Sequence, residues 1–272
     1  MKISGSTRAV VTGAGSGLGR SFARVLARRG AQLVLSDVNA AGLEETAQLV
    51  RESGARVLTT RCDVTRAEDV QALADLANAE LGGTDLLINN AGVAVSGPIG
   101  EVALADWRFQ LEVNLFGVIY GCHSFAPGMV ARGSGHILNV ASMAGIVSVP
   151  GMGPYNVTKA GVISLSETLA GEVRPRGVGV TCLCPSFFPT DIVKSGRGVV
   201  DPKKAQFAEK LMQRSKWSAD DIARIALDAV ESNTFYVLPH ADSRWIWRLK
   251  RASPWLYAKA IDALGKRSLM GA

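Results

Sequence analysis

The sequence predicts an α/β fold: a doubly wound, parallel sheet of about seven strands in a single domain, in three layers with helices on both faces. Two patterns carry that expectation. Short β-branched runs alternate along the whole chain with longer segments of helical spacing, and a glycine-rich turn follows the first of those runs directly. With 272 residues, 47% hydrophobic and 20% charged, the chain is long enough to bury a sizeable core.

In chain order the strand runs are "RAVVTG", "QLVLSD", "RVLTTRCD", "DLLINNAG", "GHILNVAS", "GVGVTCLCP" and "TFYVLP". Segments such as "RSFARVLARRG" and "EDVQALADLANAELG" separate them with helical periodicity. Strand–helix alternation requires right-handed crossovers and a sheet covered on both sides. Ser218 before "ADDIARIALDAV" and Ser253-Pro254 before "WLYAKAIDAL" mark helix starts. The domain is expected over residues 1–240, with a helical tail over 241–272; no internal repeat interrupts it.

Several function classes are disfavoured. The apolar start lacks the pattern of a signal peptide, and no run of 18 apolar residues could span a membrane. Four scattered cysteines (Cys62, Cys122, Cys182, Cys184) read as reduced buried thiols in a cytoplasmic protein. His123, His136 and His240 show no metal-ligand spacing, so no metal is expected. Net charge is +6, yet residues 241–272 hold seven basic residues against two acidic, leaving the body nearly neutral. That distribution argues against nucleic acid as a partner.

The turn after the first strand reads "TGAGSGLGR", with Gly13, Gly17 and Gly19 spaced G-x-x-x-G-x-G and a helix following. Glycines permit close approach of backbone to a pyrophosphate at the helix N-terminus; Ser16 and Leu18 belong to the same loop. The second strand ends in Asp37, whose carboxylate suits ribose hydroxyls and repels a 2′-phosphate. Ser16 and Asn39 beside it supply no positive charge, so the reading is NAD rather than NADP. A solvated cap is the alternative for Asp37. Asp63 and Val64 end the third strand at an adenine position, and "NNAG" (Asn89 to Gly92, hence Asn90, Ala91 and Gly92) ends the fourth.

The set "TGAGSGLG", "DV", "NNAG", "S…YNVTK" and "P…T" resembles the short-chain dehydrogenase/reductase family in its compact single-domain branch, over roughly residues 6–240. The resemblance implies a Rossmann-type fold and hydride transfer between a nicotinamide and an alcohol or ketone. Such a reaction also moves a hydroxyl proton. Tyrosine, with a pKa near 10, is a poor base at neutral pH, and an ammonium one helical turn away favours the phenolate. Tyr155 and Lys159, four residues apart, supply that pair. The family implies the same roles: Tyr155 as acid/base, Lys159 binding ribose and tuning Tyr155.

Ser142, thirteen residues before Tyr155, is placed to hold the substrate oxygen, or else caps a turn. Asn114 in "LEVNLFG" is given by the family a structural water that passes protons from Lys159; otherwise it is a satisfied core amide. After the sixth strand the chain departs from the family's Pro-Gly with Pro185-Ser186 and "FFPTD". This stiffens the loop, with Thr190 placed to bond the carboxamide or phosphate and Phe188 near the nicotinamide face.

Candidate substrate contacts are apolar: Val95, Met143, Met152 and Phe187, with Val93, Ile146, Val149 and Ile192 bordering them. A mobile lid is expected over about 186–217, with Phe207, Leu211, Met212 and Trp217 turned inward. The expected substrate is therefore a hydrophobic secondary alcohol or ketone. The alternatives are an NADPH-dependent 3-oxoacyl-carrier-protein reductase, or a non-catalytic NAD-binding or membrane-docked scaffold. The tail carries Trp245, Trp247 and Trp255 among its basic residues. It is expected to pack on the domain or a neighbouring subunit, peripheral contact with a membrane being the alternative. The family suggests a homodimer or homotetramer.

Overall fold

The computed structural model describes residues 1–190, 192, 197–198 and 202–269, without the side chains of 197, 202–205, 207, 208, 264 and 266–269. Seven parallel strands form the central sheet: β1 (Arg8–Thr12), β2 (Gln32–Asp37), β3 (Val57–Arg61), β4 (Leu86–Asn89), β6 (Gly135–Val140), β7 (Val178–Leu183) and β9 (Tyr236–Val237). Their order is β3-β2-β1-β4-β6-β7-β9, so the direction of winding reverses between β1 and β4. These are the seven strands expected from the sequence. A second, two-stranded sheet joins β5 (Val95–Ser96) to β8 (Arg197–Gly198).

The helices are α1 (Gly17–Arg28), α2 (Ala40–Glu52), α3 (Ala67–Leu81), α4 (Leu104–Leu111), α5 (Gly117–Arg132), α6 (Gly153–Val173), α7 (Pro202–Gln213), α8 (Ala219–Glu231), α9 (Ala241–Ala252) and α10 (Pro254–Leu269). The tail is thus two helices. Ser218 caps α8 through the Asp221 amide while Asp221 answers the Ser218 amide, a reciprocal capping box. Between α4 and α5, residues Glu112–Phe116 form a single π turn.

Strands covered on both faces read as unbroken apolar runs; all six residues of β7 are buried. Two cores result. One lies between the sheet and α3, α5 and α6, around Leu87, Phe125, Met129 and Ile137. The other lies between the sheet and α1 and α8, around Phe22, Leu26, Leu33 and Ile222. The strands' carboxyl ends deliver the glycine loop, Asp37, "NNAG", Ser142 and Pro185 to one edge of this sheet.

Candidate active site

The glycine loop is built by close approach. Gly13 (φ 65°) and Gly17 (φ 50°) adopt left-handed backbone. A Cβ on Gly13 would stand 2.7 Å from Ala91 Cα, and one on Gly19 would meet Asn90 Nδ2 at 2.6 Å. The "NNAG" segment therefore lies directly on this loop. Asn90 Nδ2 donates to Thr12 O and Gly13 O at 2.9 and 3.0 Å, and the Asn90 and Ala91 amides donate to Thr12 Oγ1. The Asn90 side chain is spent on holding the loop rather than pointing outward. Thr12, unremarkable in sequence, is the hinge of this junction.

Asp37 Oδ2 accepts the Gly15 amide at 2.8 Å and Oδ1 accepts the Asn39 amide at 2.9 Å. Gly15 escaped the sequence reading, yet a Cβ there would come within 2.9 Å of the Asp37 carboxylate. Arg20 was also missed. Its Nε donates to Thr46 Oγ1, and its Nη2 donates to Gly15 O and Gly42 O and pairs with Glu45. Asp63 Oδ1 closes a turn with the Thr65 amide and hydroxyl; Val64 is buried against Gly117. Ser16 precedes α1 without a side-chain cap, and Leu18 is buried in the α1 core. A Cβ on Gly17 would stand 3.3 Å from Thr190 Oγ1, so the loop after β7 reaches the glycine loop.

At the chemical end, Ser142 lies two residues beyond β6 and caps a one-turn 3-10 helix, Met143–Gly145, by accepting the Ala144 amide at 3.1 Å. Tyr155 and Lys159 lie one turn apart on α6, with Lys159 Nζ 5.8 Å from the Tyr155 ring centroid. Burial pushes the Tyr155 phenol above its ordinary value, and hydrogen bonding to Ser142 works against that rise. Burial pulls the Lys159 ammonium down to about 8. The direction at Tyr155 is opposite to the one expected from sequence. Desolvation is the larger influence on the phenol, and the Lys159 Nζ donates to Val140 O at 2.8 Å.

Asn114 sits in the π turn with its side chain on the backbone of Val93: Oδ1 accepts the Val93 amide at 2.8 Å and Nδ2 donates to Val93 O at 2.9 Å. Both ends of the side-chain amide are thereby committed to the backbone of Val93. Buried Gln110, also missed, donates to Val93 O at 3.0 Å. Gly92 lies among these groups: a Cβ on it would be 3.4 Å from Asn114 Oδ1 and 3.7 Å from Lys159 Nζ.

The expected substrate wall divides. Val95 in β5 and Met143 are buried in the packed interior, whereas Met152 is half-buried and Phe187 is 39% exposed. Phe188 is 7% exposed and belongs to the core under α1 and α8; Phe187 is the aromatic this loop presents. Trp217 packs on that same core, and Leu211 and Met212 are half-buried. Within the expected lid, residues 191, 193–196 and 199–201 and the side chain of Phe207 lie outside the described residues.

The tail packs inward with Trp247, Tyr257 and Ile261 against the first core. Its other face exposes Trp245 (70%) and Trp255 (63%). All four cysteines are free and buried. Among the described residues no group of His, Cys, Asp and Glu could hold a metal, and no helix is long and apolar enough to cross a membrane.

A winding reversal with a glycine loop at its crest, and a Ser, Tyr and Lys gathered across it, place the chain in the doubly wound α/β class. The comparisons agree. The short chain dehydrogenase family matches residues 7–198, and the chain belongs to that family. It is 39% identical over 227 residues (81% of this chain, 89% of the relative) to cis-4-hydroxycyclohexanecarboxylate dehydrogenase of Sinomonas cyclohexanicum. Against D-threitol dehydrogenase of Mycolicibacterium smegmatis it is 37% identical over 221 residues, 80% of this chain and 84% of the relative. A short-chain dehydrogenase/reductase from Burkholderia phymatum, solved in complex with NAD, superposes with a TM-score of 0.88 at 38% identity, covering 94% of this chain and 96% of that one. The chain spans 40% of the length of curated mycobacterial relatives, probable oxidoreductases, that match it at 34% identity over 236 residues.

Proposed function

We propose that this oxidoreductase transfers hydride between NAD(H) and an apolar secondary alcohol or ketone, with Ser142, Tyr155 and Lys159 as its working side chains. The observation that carries the reading is that Ser142 stands near enough to the Tyr155 phenol to favour its ionised form, with Lys159 one turn further along α6. Gly13, Gly15, Gly17 and Gly19 leave a cradle that side chains would fill. Together with Asp37, Thr190 and Lys159 they fit a dinucleotide, whose nicotinamide supplies the hydride chemistry.

Ser142 holds the substrate oxygen against the phenol. Tyr155, kept protonated at neutral pH by burial, delivers its proton to a carbonyl oxygen and must lose it to act on an alcohol. Lys159 keeps a positive charge below about pH 8, close to Gly92 and to the phenol. Asn114 and Gln110 fix the backbone of Val93, which borders these groups. NAD is favoured over NADP because Asp37 lies where a 2′-phosphate would be repelled and the Nε and Nη2 of Arg20 are already engaged. The exposed Phe187 and half-buried Met152 favour an apolar substrate.

The test is nicotinamide reduction measured with NAD and NADP in parallel, on secondary alcohols of increasing chain length and on polyols. Faster turnover with NAD that rises with chain length supports the reading. A preference for NADP puts the carrier-protein reductase in its place, and better turnover of polyols removes the apolar substrate. A Tyr155→Phe protein that keeps its cellular role would favour the scaffold.

A second reading concerns the tail. The exposed Trp245 and Trp255 carry Arg248 and Lys259 over their rings, at 5.8 and 3.8 Å, beside exposed Leu249 and Leu256. Such a face suits an anionic lipid surface, which would place a cytoplasmic enzyme at a membrane periphery. Sedimentation with anionic vesicles that Trp245→Ala/Trp255→Ala does not reduce would exclude it. Exposed Ile99, Leu104 and Val157 lie on the body of the domain and fit a homo-oligomer, read by light scattering.

A further inference from the structure

The segment from Met143 to Met152 joins Ser142 to the helix that carries Tyr155 and Lys159, so its shape sets how the serine stands against the phenol. One end of it is tied to the body of the sheet, the Met143 amide donating to Pro185 O at 2.8 Å. Near its other end Asn156 Nδ2, from α6 itself, donates to Val149 O at 2.9 Å. The middle is held from a distant part of the chain. Lys250 Nζ at the end of α9 donates to Ile146 O at 2.6 Å, and the Ser148 amide donates to Tyr257 Oη at 3.0 Å.

The two tail residues form one unit. Lys250 Nζ lies 4.9 Å from the centroid of the Tyr257 ring, across the corner at Ser253 where α9 turns into α10. Beyond the corner, Tyr257, Ile261 and Gly265 repeat at intervals of four and so share one face of α10. Tyr257 and Ile261 pack on the first core, and a Cβ on Gly265 would touch Pro150. The helix therefore lies along the segment at Ser148 and Pro150, with Lys250 reaching Ile146. Ile146 lies six positions past β6 and Ser148 five before α6; without the tail the Ile146 carbonyl and the Ser148 amide would lose these protein partners, since loop backbone has no ladder to complete it.

We propose that Lys250 and Tyr257 are positioning residues for the reaction: the C-terminal helical pair clasps the segment between Ser142 and Tyr155 and fixes the wall against which the far end of the substrate rests. The proposal rests on the oxidoreductase reading above. It gives residues 241–269 a part in turnover, although they lie outside the 7–198 span matched by the family.

The experiment uses the full chain with Tyr257→Phe, Lys250→Met, the double change, and Lys250→Arg, which retains a donor for Ile146 O. Three readouts are taken: hydrogen exchange of peptides covering 146–150, NAD binding, and kcat and KM along the alcohol series. The expected result is faster exchange in that segment, a kcat lowered about ten- to a hundredfold as expected for small misplacement of reacting groups, and KM rising most for the longest alcohols. NAD affinity stays within about twofold, because the glycine loop is untouched, and Lys250→Arg restores most of the rate. Exchange that speeds up while kcat and KM stay constant overturns the positioning role, and exchange that does not change overturns the clasp itself. If the unaltered protein turns over none of the alcohols, the oxidoreductase reading fails, while the exchange result still decides whether the clasp exists. Equal losses of NAD binding and of rate in every variant, Lys250→Arg included, would mark a general fold defect and also overturn the proposal.

Discussion

The two halves of the sheet solve different problems. In the nucleotide half, β1 to β3 with their helices, the polar groups around the glycine loop are paired: both Asp37 oxygens accept amides, and Arg20 is tied to Gly15, Gly42, Glu45 and Thr46. In the half proposed for catalysis, from Thr84 just before β4 onward, buried polar atoms stand without a protein partner. Among the described residues these are Thr84 Oγ1, Asn89 Oδ1, Gln110 Oε1, Asn156 Oδ1, Trp217 Nε1 and His240 Nε2, and none precedes residue 84. The same half buries Lys159 at the expense of its charge. Binding a nucleotide needs a shaped backbone, which can be fully satisfied beforehand. Moving a proton needs desolvated groups of adjusted affinity, and these carry a local penalty in stability.

The sharpest way to break this contrast is Tyr155→Phe. It should lower kcat by about 10²- to 10⁴-fold while NAD binding, measured by calorimetry, stays unchanged. A loss shared equally by binding and rate would mean that the halves are not separable. Next comes Lys159→Met, which should abolish turnover yet raise stability. The ammonium falls from 10.5 to about 8 on folding, a shift that disfavours the folded state by up to roughly 3 kcal/mol at neutral pH.

The sign is testable in the unaltered protein. Between pH 8 and 10.5 the unfolded chain binds the proton that the folded chain has lost, so this group makes stability rise with pH across that window. Urea titrations should show the rise, and Lys159→Met should lack it. In the nucleotide half, Asp37→Ala should cut kcat/KM with NAD about ten- to a hundredfold, as expected for losing hydrogen bonds to a charged acceptor, and change NADP kinetics much less. Equal losses with both cofactors would assign Asp37 to the loop alone. The smallest effect belongs to the scaffold: Ser218→Ala removes the α8 cap and should lower stability by about 1 kcal/mol with kinetics unaltered.

Much of this was legible in the sequence because the sheet advertises itself. Buried parallel strands leave β-branched runs, and all seven occur where those runs do. The candidate site residues could be picked out for a similar reason, since Gly13, Gly17, Ser142, Tyr155 and Lys159 stand just past strand ends or one turn apart. What stayed hidden depends on three-dimensional company. Strands β5 and β8 are two residues long and carry no period. The π turn around Asn114 has no signature beyond a helical pattern. Thr12, Gly15 and Arg20 are ordinary residues whose partners lie 22 to 79 positions away for Asp37, Thr46, Asn90 and Ala91. The direction of the Tyr155 shift was misjudged because spacing gives proximity to Lys159 but says nothing of how dry the phenol is.

The packing of α8 on α1 has a consequence for how the chain is made. Arg24 pairs with Asp220, Arg29 with Asp228 and Lys2 with Glu231, and the apolar faces of α1 and α8 share one core. On a ribosome the glycine loop and its helix therefore emerge about two hundred residues before the helix that covers them, a delay of roughly 10–40 s at ordinary elongation rates. Throughout that interval Phe22 and Leu26 face whatever surrounds the nascent chain. A fragment ending before Ser218 would hold Ser142, Tyr155 and Lys159, yet it would be born with its first helix uncovered and should come out of cells as inclusion bodies rather than as a smaller enzyme.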